Sequence, residues 1–143
     1  GPARASCTRR QASRIASESA RAVLLRQEAS RALLATEFGA AAGARTVELR
    51  LQLPGWGNGT LRIELAADNL MPVSVLYFLR QVRSGLWTGA SFHRNAGHVL
   101  QAGLAHKAVP AEQRASVPFQ EYSPSLPHEK FTVGFAGRPG GPD

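Results

Sequence analysis

Arg94 and Gln101 stand seven positions apart in the run Gly85 to Gly103, a stretch with little other charge. A guanidinium is all donor, whereas an amide both donates and accepts. Together they suit recognition of a peptide carbonyl or amide. They supply neither a nucleophile nor a general base near neutral pH, so hydrolysis is poorly supported. Phe92 and Arg94 should share one strand face and His93 the other, so Arg94 is either a surface residue or a donor aimed into a cleft. His93, His98, His106 and His128 lack metal-ligand spacing and an accompanying carboxylate cluster, so neither a metal nor another cofactor is expected. Ser13, Ser17, Ser74 and Ser91 lack the context of a nucleophile elbow. The glycines at 55–59 and 137–141 are not followed by the Lys-Ser/Thr pair of a phosphate loop. Trp56 and Trp87 read as buried packing or turn covers.

The elements that must position these residues are legible in the periodicity. From about Thr8 to Phe38 the chain is rich in Ala, Leu, Arg, Gln and Glu and contains no Pro or Gly, which favours helix. Ser6 or Thr8 would cap its start, Gly39 would stop it, and Glu28 and Arg31 are spaced to pair. Its apolar positions, Ile15, Val23, Leu24, Leu25, Leu33, Leu34 and Phe38, form a patchy stripe without strict heptads. Thr46 to Leu53 alternates, with Val47, Leu49, Leu51 and Leu53 on one face. Leu61, Ile63 and Leu65 do the same after a turn spanning Pro54 to Gly59, which predicts a hairpin. Asp68 or Asn69 would cap a helix from Pro72 to Arg83, ended by Gly85. Short strands are expected near Ser91–Arg94 and Val99–Ala102, and a last one over Phe131–Ala136.

With 143 residues the chain suits one domain, and a single cysteine, Cys7, excludes an internal disulfide framework. The net charge of +7 is uneven. Eight arginines face three glutamates before Thr46, against nine basic and seven acidic groups after it. Residues 1–45 therefore read as a basic Ala/Arg-rich helical extension and linker. With the body nearly neutral and the arginines spread around the helix, nucleic-acid binding is not expected. No apolar run reaches membrane-spanning length. Gly1-Pro2 has the form of a protease scar, so targeting cannot be read from the N-terminus. Asn58-Gly59-Thr60 reads as a plain Asn-Gly turn; used as a glycosylation acceptor, it would place the protein in the secretory-pathway lumen.

Six segments in order resemble the cyclophilin-type peptidyl-prolyl isomerases. They are Gly59-Thr60-Leu61-Arg62-Ile63-Glu64-Leu65; Ala67-Asp68-Asn69-Leu70-Met71-Pro72 with Phe78-Leu79; Gly85-Leu86-Trp87-Thr88-Gly89-Ala90-Ser91-Phe92-His93-Arg94; Gln101-Ala102-Gly103; Phe119-Gln120-Glu121; and Val133-Gly134-Phe135-Ala136-Gly137. The resemblance implies a mainly β fold with helices for residues 46–143. That fold is the first half of a cyclophilin-like eight-stranded antiparallel β-barrel, here preceded by a long N-terminal α-helix. It also implies that Arg94 hydrogen-bonds the prolyl carbonyl and that Gln101 holds the substrate backbone. Weakening the amide resonance in this way lowers a rotational barrier of about 18–20 kcal/mol. Peptide binding would fall to His98, Val99, Phe135, Ala136 and Gly137.

Several positions depart from that pattern. The arginine and glutamine are seven apart instead of eight. His98-Val99 replaces an apolar pair of the proline pocket, and Gly137 replaces an asparagine that anchors the peptide. The later Gln-Phe-Phe strand and the catalytic histidine have no counterpart before Asp143. The expectation is a cyclophilin-like peptide-binding or assembly module with weak or no isomerase activity. The alternative is an active isomerase whose remaining residues lie beyond Asp143 or in a second chain. The expected partners are a proline-containing peptide or protein segment, and a C-terminal continuation or partner chain that completes the barrel. The N-terminal helix would pack on the domain or on a partner.

Overall fold

The computed structural model describes residues 2–103 and 117–136. In chain order it contains α1 (Pro2–Phe38), β1 (Thr46–Leu53), β2 (Gly57–Glu64), α2 (Pro72–Arg83), β3 (Ser91–Asn95) and β4 (Leu100–Gly103). Helix α1 begins before the expected start, leaving Ser6 and Thr8 inside it. Nothing between Pro2 and Thr8 breaks a helix, and Pro2 itself suits a first turn. Gly39 ends the helix with a φ of 77°, a left-handed conformation that glycine adopts without a Cβ penalty. Arg45 then reaches back to the exposed helix end. It donates to the carbonyls of Phe38 at 3.3 Å and Gly39 at 2.7 Å, groups that have no partner within the helix.

The face of α1 that packs inward is narrower and more polar than its apolar residues suggest. Val23, Gln27, Ser30, Leu34, Glu37 and Phe38 are buried or half-buried at spacings of three and four, whereas Leu24, Leu25 and Leu33 are exposed. Adjacent helical residues point about 100° apart, so Leu34 facing the core turns Leu33 outward. Leu34, completely buried, meets Val75 and Leu76 of α2, with Phe38, Leu65, Ala66 and Leu79 packed around them. The expected Glu28–Arg31 pair is not formed; Arg31 donates to the Asn69 carbonyl instead, at 3.4 Å.

Charged groups brace both ends of this contact. Glu37 receives Nε of Arg80 at 3.2 Å, and the Nη2 atoms of Arg80 and Arg83 close on the same carboxylate. The Arg83 guanidinium also lies 4.5 Å from the centre of the Phe38 ring. At the start of α2 the cap is Met71, which offers no side-chain acceptor. Asp68, expected to cap this helix, forms a two-pronged pair with Arg45 at 2.9 and 2.8 Å instead. The cap comes from Glu121, 47 residues beyond Ser74. Its carboxylate accepts the backbone N–H of Ser74 at 2.7 Å and of Val73 at 3.3 Å, and Nε2 of Gln27 at 3.1 Å. A carboxylate there satisfies free helix donors and complements the helix dipole.

Strands β1 and β2 form an antiparallel hairpin, with Val47 opposite Ile63 and Leu53 opposite Gly57. The turn is Pro54-Gly55-Trp56, closed by the Trp56 N–H on the Leu53 carbonyl at 3.0 Å. Proline followed by a glycine with a φ of 80° makes a type II turn, so the shorter loop closes and Asn58-Gly59 is drawn into β2. Trp56 covers nothing at this tip, being 89% exposed.

The eight-stranded barrel expected from the resemblance, or its first half, is not formed among the described residues. There are two separate two-stranded sheets, β1–β2 and β3–β4. Barrel closure requires every strand to pair on both edges, and each of these strands pairs only within its hairpin. Apolar cover comes from α1 against α2. The expected strand over Phe131–Ala136 is also absent. Phe131 has a φ of 71°, outside any strand conformation, and Thr132 folds back on the Glu129 carbonyl through its N–H at 3.1 Å and its hydroxyl at 2.8 Å. The mainly β reading therefore gives way to a mixed fold, with two helices and two hairpins among the described residues.

The bracing groups can be tested one at a time. Hydrogen bonding from Arg80 is the largest influence on the Glu37 carboxyl, and with the Arg83 contact it outweighs desolvation, holding the group at about 2 instead of the usual 4.5. The folded value lies below the unfolded one, so the stabilisation is complete above pH 4.5 and vanishes as pH falls towards 2. The urea midpoint of the native protein should drop more steeply across that window than that of E37Q; parallel pH profiles would refute the assignment. Glu121→Ala should cost about 1–2 kcal/mol in urea unfolding, the usual cost of a lost helix cap.

Candidate functional site

Hairpin β3–β4 carries the arginine and the glutamine. Its connection is short because the residues flanking it are suited to a tight turn. Asn95 accepts the Gly97 N–H on its side-chain oxygen at 2.9 Å, and the Ala96 N–H bonds the Val99 carbonyl at 2.9 Å. An asparagine that closes a local turn in this way is a common turn starter.

The pairing begins with Ser91 opposite Gly103 and Phe92 opposite Ala102. It resumes with Arg94 opposite Gln101 and Asn95 opposite Leu100. One residue, His93, is extra, and its presence is a β-bulge. Strict alternation therefore does not hold between Phe92 and Arg94, contrary to the expected shared face. Across the pair, Nη1 of Arg94 donates to Oε1 of Gln101 in a long contact of 3.4 Å. Every residue of β3 is exposed, and Gln101 is half-buried. The remaining donors of Arg94 can thus meet a ligand, at the cost of competing with water.

The other expected site residues are dispersed. His98 and Val99 lie exposed in the β3–β4 connection, with Val99 46% accessible. Phe135 is half-buried and meets Phe78 of α2 edge-on, with ring centres 6.4 Å apart. Phe78 in turn lies 6.3 Å from Trp87, whose Nε1 donates to Gln81 at 3.2 Å. Trp87 is thus a packing residue. Ala136 is exposed, and Gly137 and His106 fall outside the described residues. Arg94 and Gln101 are brought together, while Phe135 is committed to the aromatic cluster beside α2.

The ring of His93 lies against a residue of the facing strand. A Cβ built on Gly103 would fall 2.8 Å from Cε1 of His93, so the imidazole sits directly against the glycine. Among the described residues no three His, Cys, Asp or Glu side chains gather into a metal-holding group. No described helix is long and apolar enough to cross a membrane.

No protein-family model, curated protein or solved structure matches the chain. The site consists of a cation and an amide side by side on an open hairpin.

Proposed function

We propose that the protein is a peptide-binding or assembly module, related to the cyclophilin-type isomerases through its Phe92-His93-Arg94 and Gln101 segments, with weak or no isomerase activity. The observation that carries this reading is the cross-strand placement of Arg94 opposite Gln101, 3.4 Å apart. Two adjacent polar groups with donors to spare can hold an extended backbone: the guanidinium takes a carbonyl and the amide takes a carbonyl or an N–H.

The same exposure argues against efficient rotation of a prolyl bond. Electrostatic help to a distorted amide is large only where water is excluded and donors are preorganised. Arg94 lies on a solvated strand, and His98 and Val99, expected as pocket walls, stand open to solvent. A ligand here is gripped by hydrogen bonds but is not desolvated.

The test is a titration of a fluorescein-labelled Ala-Ala-Pro-Phe peptide, run beside a cis–trans isomerisation assay. The native protein should bind the peptide, R94A should bind about tenfold more weakly, as expected for loss of a charge-assisted hydrogen bond, and both should leave isomerisation at the uncatalysed rate. An acceleration that disappears in R94A would replace the module with an active isomerase. Absence of peptide binding would remove the reading altogether.

A further inference from the structure

The register of β3 against β4 changes partway along the hairpin, and the change decides which side chain meets Gln101. Ser91 opposite Gly103 and Phe92 opposite Ala102, continued without interruption, would place His93 opposite Gln101 and Arg94 opposite Leu100. The observed partners are instead Arg94 with Gln101 and Asn95 with Leu100. His93 is the residue left over. A bulge leaves one residue out of the ladder and re-aims the side chains beyond it.

The ring of His93 lies against Gly103 on the facing strand. A Cβ on Gly103 would lie 2.8 Å from Cε1, 3.4 Å from Nδ1 and 4.0 Å from Nε2 of the imidazole. The ring occupies the space where any other residue would carry its side chain. Gly103 has no left-handed φ, so its backbone conformation does not call for glycine; a side chain there would instead have to displace the exposed His93 ring.

We propose that His93 is the positioning residue of the Arg94–Gln101 pair: its ring, seated on Gly103, holds the bulge and so sets Arg94 opposite Gln101. Its functional consequence rests on the peptide-binding reading, whereas its geometric content does not. His93 touches no ligand in this scheme. It acts through Arg94.

Two measurements on the full chain separate these layers. In the isotope-labelled protein, cross-strand nuclear Overhauser contacts should link Arg94 to Gln101. In H93A and in G103A these contacts should weaken, with contacts of the uninterrupted register, residue 93 to Gln101 and Arg94 to Leu100, taking their place. Retention of the native contacts in both variants would overturn the proposal, whether or not any peptide binds. In titrations with the labelled Ala-Ala-Pro-Phe peptide, H93A and G103A should each bind about fivefold more weakly. Adding R94A to H93A should cost less than about twofold more, because residues acting through one contact are non-additive. A full R94A loss in the H93A background would show that His93 acts independently and would overturn the proposal. Peptide binding by neither the native protein nor any variant would sink the binding reading alone, leaving the register contacts to decide the role of His93.

Discussion

The fold depends on the side-by-side packing of α1 and α2, centred on Leu34 against Val75 and Leu76. Two small hairpins cannot bury enough apolar surface to order themselves; isolated two-stranded ribbons are marginal in water. The helical pair provides the missing burial. Gln27 lies near the start of α2 and Glu37 near its end, so the two helices run in the same sense, and β1–β2 forms the connection between them.

Polar groups determine how the helices register on one another. Glu37, drawn to Arg80 and Arg83, fastens the end of α1 to the last turn of α2. Glu121 fastens the start of α2 and simultaneously receives Gln27. Arg45 joins the end of α1 to Asp68 on the approach to α2. Each contact pairs a charged group with free helix donors, free helix carbonyls, an opposite charge or, for Glu121 and Gln27, a side-chain amide. Apolar contact draws the helices together without specifying their sliding position; directional hydrogen bonds do specify it. The segment containing Glu121 is thereby part of the helical framework, although its described residues form no helix or strand of their own.

The candidate site stands apart from this framework on β3–β4. Its geometry comes from a local turn at Asn95 and a bulge at His93, not from burial. That origin explains why Arg94 and Gln101 are paired yet solvated. A site made this way can select an extended backbone by hydrogen-bond pattern, but it lacks the enclosed low-dielectric surroundings on which electrostatic catalysis draws.

Local order was legible wherever a short window contains its own physical cause. The alternation of Val47, Leu49 and Leu51, the apolar spacing of Val75, Leu76 and Leu79, and the strand-like runs around Arg94 and Gln101 were enough to predict the corresponding elements. Asp68 and Asn69 misled because a capping residue type was present, while the actual acceptor, Glu121, lay far along the chain. Phe131–Ala136 misled because its apolar residues resemble a strand, whereas strand formation requires a partner edge and an extended φ at Phe131. The resemblance suggested a barrel, but no residue window reveals whether strands will close on one another. By itself, then, the sequence determined helix and strand propensity and the presence of an arginine and a glutamine in neighbouring strands. Tertiary structure decided that α1 and α2 form the core, that Glu121 caps a distant helix, and that a bulge brings Arg94 opposite Gln101. Those outcomes depend on contacts between residues distant in the chain or across a ladder, where a displacement of one residue changes every partner.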